Sequence, residues 1–245
     1  MLIRDLLISM QILLVLLSAL SPVAVALWYI FKKDNAQPEP TKWFAKAFTY
    51  GELSALLSFA FSTPLGAIFG MELNAEVYSS IFDAFADAFL LAAIPEELAK
   101  FIMLWLLLRK NPHFDEKFDG IVYAVCIGMG FAGIENVMYL AGGIEDGSWI
   151  GIGISRALFS IPGHFLFAVL MGYYYSLYYW GIDRTLKAKA MILVAPVLAH
   201  GIFDGILFSM NVDEGLAVIC LFLFLYFFNK LRKRGKERIE SLMNQ

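Results

Sequence analysis

Residues 121–142 read IVYAVCIGMGFAGIENVMYLAG, an unbroken apolar run whose one charged residue is Glu135. About 20 such residues in helix cross the hydrocarbon core of a bilayer, and a helix apolar on every side has no water-facing surface. Runs of the same kind lie to either side: Leu6–Phe31, Phe44–Gly70 and Phe89–Leu108 before it, then Ile150–Trp180, Ala190–Met210 and Gly215–Leu231 after it. Val77–Ala88, with Asp83 and Asp87, reads as an interfacial lead-in or an earlier start of the third run. The last run is short and relies on Lys230 snorkelling. Across 245 residues 60% are apolar and 17% charged, where a soluble domain carries about a quarter charged. The expected fold is therefore all-α: a polytopic transmembrane bundle of about seven spans, one integral membrane domain over residues 1–245. A motif-bearing core falls at about 89–210, and a basic tail at about 230–245. Ala24-Val25-Ala26 loosely resembles a signal-peptide cleavage site, but the first run is far longer than an h-region, so it is read as a retained span. Cys126 and Cys220 sit in apolar runs as buried thiols, with no disulfide or metal-ligand spacing.

The loops alternate in charge. Lys32, Lys33, Lys42 and Lys46, then Arg109, Lys110 and Lys117, then Arg184, Lys187 and Lys189, then six residues of the tail, hold 16 of the 19 basic residues. The opposite loops carry Glu72 and Glu76, Glu145 and Asp146, and Asp213 and Glu214, with no Lys or Arg. The positive-inside rule then sets the N-terminus outside and the C-terminus in the cytoplasm, and five tryptophans near span ends form the aromatic belt.

Lys100, Arg156, Glu52, Glu96, Glu97, Glu135, His164, His200 and Asp204 lie inside the spans, with Asp119 at an edge. Each such group costs roughly 2.5–3.5 kcal/mol at the bilayer centre. Glu96 and Glu97 stand four and three residues before Lys100, His200 four before Asp204, and Arg156, Ser160 and His164 form one stripe. By helical rise Glu135, His200 and Asp204 lie roughly 10–15 Å from the outer span ends. Pro95, Pro162 and Pro196 break helices beside these groups, and such breaks survive in a membrane where protein or water satisfies the freed carbonyls. Gly128, Gly130 and Gly133 permit close approach of another helix. Four helices thus contribute to one expected cluster. Glu52 reads instead as a snorkelling residue, Asp119 equally as a helix cap, and Arg156 equally as a structural ion-pair partner.

In order along the chain, these pieces resemble the PrsW family of intramembrane proteases, within the wider group of CAAX-processing and bacteriocin-protection membrane proteases. Glu96-Glu97-Leu98-Ala99-Lys100 matches E-E-x-x-K, followed by Phe118-Asp119-Gly120. Phe131 to Glu135 matches F-x-x-x-E, with Asn136 next; His164 follows, and His200 to Asp204 matches H-x-x-x-D. The CAAX-processing relatives have E-E-x-x-x-R and F-x-x-x-H, a departure that argues against a prenyl-protein substrate. The resemblance covers roughly 95–208. It implies hydrolysis of a peptide bond in a membrane-anchored protein, of the anti-sigma-factor kind, cut on its extracytoplasmic side in a bacterial cell membrane. It implies no nucleic-acid partner.

The candidate catalytic residues are Glu96, Glu97, Glu135, His164, His200 and Asp204. A desolvated carboxylate of the Glu96/Glu97 pair can act as general base, with Lys100 or Arg156 keeping its neighbour ionised. His164 or His200 orients the water or protonates the leaving amine, and Asp204 fixes the His200 tautomer. Alternatively the same carboxylates and histidines bind Zn²⁺, which acidifies the water; HExxH is absent. The competing classes are a non-catalytic scaffold of the same fold, as in a helical subunit of γ-secretase, and an ion or proton transporter. Retention of Glu96-Glu97 argues against the first, and the lack of an inverted repeat against the second.

Overall fold

The apolar runs fold as helices, and the described residues contain no strand. The computed structural model describes residues 2–34, 37–72, 75 and 77–243, with side chains from Ser9 onward. Glu76 and the side chain of Arg4 lie outside the described residues. The order is α1 Leu2–Lys33, α2 Thr41–Phe69, α3 Ile81–Asp87, α4 Ile94–Leu108, α5 Asp119–Gly142, α6 Trp149–Ser155, α7 Ile161–Tyr179, α8 Leu186–Ser209 and α9 Glu214–Met243. Six spans are long and apolar enough to cross a membrane. The seventh, residues 81–108, joins α3 to α4 through a π-helical turn at Ala88–Ala93. It fails on composition because it carries Asp83, Asp87, Glu96, Glu97 and Lys100. It begins at Ile81, where Ser80 Oγ accepts from the Asp83 N–H, so Phe89 lies inside the helix. The last helix outruns its expected end at Leu231 and continues through the basic tail to Met243. There Arg238 lies 4.5 Å over the Tyr173 ring and donates to its hydroxyl at 3.1 Å.

α5 is the axis of the bundle, packed by α2, α7, α1 and α4. Of its apolar window 78% is buried, against 17% for α1 and 22% for α9. The outer helices expose Leu13, Leu17, Val25 and Trp28 on α1, and Phe222, Leu223 and Tyr226 on α9. Apolar surface on that scale belongs against lipid.

Two contacts let α5 take the centre. A Cβ on Gly130 would strike the Phe48 carbonyl of α2, and one on Gly51 the Ile127 carbonyl, so these two backbones meet where neither has a side chain. Gly128 faces Ala168 of α7 closely, whereas Gly133 has only ordinary contacts.

The proline breaks take a definite form. A π-helical turn precedes Pro95, and another, Arg156–Ser160, links α6 to α7 just before Pro162. Proline has no N–H for the carbonyl four residues back, and a π turn shifts the side chains on either side relative to one another. Ser62 Oγ of α2 donates to the Leu91 carbonyl at 2.7 Å, the oxygen that Pro95 cannot serve. Pro196 lies inside α8 without such a turn.

Candidate active site

The ionisable residues of α4, α5, α7 and α8 converge on one buried group. Lys100 Nζ lies 2.8 Å from Glu97 Oε1, 3.1 Å from Glu96 Oε2 and 3.3 Å from His164 Nδ1, with the Phe131 ring 3.8 Å away. His200 Nδ1 is 2.9 Å from Glu97 Oε1, and its Nε2 is 2.9 Å from Asp204 Oδ2. Phe167 stacks on the His200 ring at 4.6 Å. On the other flank Glu135 Oε2 meets His164 Nε2 at 2.8 Å and Arg156 Nη2 at 2.6 Å. The expected cluster forms, with all six candidate residues in it.

Arg156 departs from one reading. It does not touch the Glu96/Glu97 pair: it binds Glu135, donates through Nε to Asn136 Oδ1, and lies 4.3 Å over the Tyr139 ring. The reason is the π turn that opens at Arg156, which aims its side chain at α5. Asn136, quoted in the motif without a role, joins Arg156 to α1 by donating to the Ala19 carbonyl at 2.8 Å. Phe131 opens the same motif, also without a role there, and Phe167 and Tyr139 carry no signal in the sequence, since aromatic residues are common in any span. Glu52 makes no ion pair among the described residues. Cys126 and Cys220 are buried thiols.

Burial is graded across the site. Glu97 is fully enclosed, and Lys100, His164 and His200 are buried, while the side chains of Glu96, Asp204 and Glu135 keep 14%, 17% and 19% exposure. The three partly open carboxylates mark the side on which the cluster is least enclosed. Each histidine is held from behind by a carboxylate: Glu135 at His164 Nε2 and Asp204 at His200 Nε2. The other ring nitrogen of each turns inward, His164 Nδ1 toward Lys100 and His200 Nδ1 toward Glu97.

Asp119 lies in a different place. Its Oδ2 accepts from the backbone N–H of Glu116 at 2.6 Å and of Asp115 at 3.0 Å, so it caps the preceding turn rather than its own helix. Around it stand Asp34 and Glu39 of the α1–α2 linker. Burial pushes the carboxyl groups of both linker residues up to about 7.

Helices that cross a bilayer are used here to press charged and histidine side chains together, the build of an enzyme working inside the membrane. A family model described as PrsW family intramembrane metalloprotease matches residues 39–229, and the chain belongs to that family. It is similar to Protease PrsW of Clostridioides difficile (strain 630), 31% identical over 230 residues, 93% of this chain and 91% of that protein. It is 30% identical to Protease PrsW of Bacillus subtilis (strain 168) over 228 residues, 92% of this chain and 96% of the relative. To Protease PrsW of Oceanobacillus iheyensis it is 32% identical over 197 residues, 79% and 82% of the two chains. No solved structure matches. The molecule is thus a multi-pass bacterial membrane protein and an intramembrane protease.

Proposed function

We propose that this protease cuts a membrane-anchored protein in the extracytoplasmic half of the bilayer, with Zn²⁺ held by the buried cluster and Glu96 as general base. One observation carries the reading: Glu96, Glu97, His164 and His200 each offer a donor atom, and these atoms all lie within 4.8 Å of one another. The donor set suits zinc, which hydrolases hold with histidine nitrogens and a carboxylate oxygen. Glu97 Oε2 is buried with no hydrogen-bond partner, as an oxygen reserved for a cation would be. A proton held on His200 Nε2 by Asp204, 2.9 Å away, would leave Nδ1, 2.9 Å from Glu97 Oε1, as a lone pair able to bind the ion. His164 through Nδ1, His200 through Nδ1 and Glu97 are the residues that would hold the ion. Lys100 Nζ competes for the same oxygens, and its flexible stem lets it give way. When bound, zinc supplies Lewis acidity, polarising the scissile carbonyl and lowering the pKa of water to about 7.

The remaining steps belong to the protein's own groups. Glu96 is partly open where Glu97 is sealed, so Glu96 can take the proton of the attacking water and pass it to the leaving amine. Glu135 and Asp204 keep the two imidazoles in the tautomer that faces inward, and Arg156 and Asn136 hold Glu135 in place.

The substrate class is a single-span protein of the anti-sigma-factor kind. Supporting the outer side, Glu135 and Asp204 lie within roughly 8–11 Å of the helix ends at Gly142 and Ser209 by rise along the helix, on the side the charge pattern assigns to the exterior. The test is purified protein incubated with a library of single-span bacterial membrane proteins, fragments being read by mass spectrometry. Specific cuts near the outer membrane boundary are expected. Their absence from every bait, with the protein folded, overturns the substrate class.

A further inference from the structure

Five carboxylates gather at the opposite end of the bundle from the site. Asp34 follows α1, Glu39 precedes α2, Asp115 and Glu116 lie in the α4–α5 loop, and Asp119 opens α5. Asp34, Glu116 and Asp119 offer oxygens within 4.8 Å of one another, and so do Glu39, Asp115 and Asp119. Asp34, Glu39 and Asp119 are 3%, 7% and 0% exposed, so this is not a solvated acidic face.

Burying carboxylates is expensive unless a cation pairs with them. Among the described residues no lysine, arginine or histidine forms an ion pair with any of the five, although the same loops carry Lys32, Lys33, Lys42 and Lys117. Hydrogen bonds meet part of the need. Glu39 accepts from the Tyr123 hydroxyl, Asp34 Oδ2 from the Glu39 N–H at 3.5 Å, and Asp115 Oδ1 from Gln37 at 3.2 Å. A separate feature points to a ligand: Asp119 Oδ1, wholly enclosed at the residue common to both trios, has no hydrogen-bond partner. A buried oxygen without a partner calls for an explanation, and in an enclosed pocket of carboxylates a bound cation supplies one.

We infer that this cluster is a second metal site, for a hard divalent cation, Mg²⁺ or Ca²⁺, that ties the α1–α2 linker to the start of α5. Oxygen-only donors select such ions over zinc. The site is independent of the intramembrane cluster, since it shares no residue with it.

The experiment uses full-length protein in detergent carrying His164→Ala and His200→Ala, which removes the imidazole donors of the other cluster. After chelator treatment, Mg²⁺ and Ca²⁺ are titrated by calorimetry. Tb³⁺ luminescence excited through tyrosine serves as a second readout, because Tyr123 touches Glu39. One ion per chain is expected, with at least a tenfold loss of affinity in Asp119→Asn and in Asp34→Asn, and none in Glu145→Gln of the opposite loop. Melting curves in chelator establish that each variant is folded; where Asp119→Asn is not, the more exposed Glu116→Gln replaces it. Absence of Mg²⁺, Ca²⁺ and Tb³⁺ binding at millimolar concentration overturns the inference. So does binding that the Asp34 and Asp119 (or Glu116) variants leave unchanged.

Discussion

Ser62 of α2 donates its hydroxyl proton to the carbonyl of Leu91 at 2.7 Å, one turn before Glu96. That oxygen has lost its usual α-helical partner because residue 95 is proline. A single serine on a neighbouring helix thus steadies the π turn that sets the direction of Glu96 and Glu97. Ser62→Ala should destabilise the protein by about 1–3 kcal/mol, the penalty for an unsatisfied buried carbonyl. Ser62→Thr, which keeps the hydroxyl, should recover most of it. Thermal unfolding in detergent measures both, and equal melting points for Ala and wild type would remove the assigned role.

Gly130→Ala should cost about 1–3 kcal/mol, since its new methyl meets the Phe48 backbone, which cannot move aside as a side chain can. Gly133→Ala, three residues along α5, meets only side chains at 3.6 and 3.7 Å and should be near neutral. The contrast within one helix separates close packing from a general intolerance of alanine.

Glu135→Gln and Arg156→Lys should each lower activity about 10–100-fold, the usual effect of removing a partner behind a metal-facing histidine. A lysine ammonium cannot serve Glu135 and Asn136 together as the guanidinium does. Activity assays paired with melting curves test this; a loss that merely tracks unfolding would mean the pair is structural alone.

Glu96→Gln should abolish cleavage yet bind zinc with the stoichiometry of the parent, because its assigned part is proton transfer. Glu97→Gln, His164→Ala and His200→Ala should lose zinc as well as turnover while still inserting into the membrane. Metal content and fragment analysis on the same preparations separate the roles. Stripped protein should regain activity with one equivalent of Zn²⁺; full activity in chelator would leave the carboxylate-base mechanism instead.

Asp204→Cys, in a Cys126→Ser, Cys220→Ser background, should react with a membrane-impermeant thiol reagent added outside intact cells, as should Asn211→Cys in the adjacent exposed turn. Labelling confined to inside-out vesicles would reverse the proposed orientation.

The sequence by itself determined that the chain is a membrane bundle and which residues gather in its buried ionisable cluster. Apolar runs of bilayer length are a one-dimensional property, and charge within them is costly enough that Glu96, Glu97, Glu135, His164, His200 and Asp204 stood out against their surroundings. Spacing along single helices also gave the Lys100 and Asp204 pairings, because residues three and four apart share a face. What tertiary structure alone decided were the partnerships between helices. Arg156 turned to Glu135 and Asn136 through a π turn whose pitch no α-helical periodicity reports, and Ser62 met Leu91 across 29 residues. The carboxylates at Asp34, Glu39 and Asp119 lie in or beside polar loops, where acidic residues look solvated. Their enclosure appears only once the linker folds over the start of α5, because burial is a property of neighbours in space.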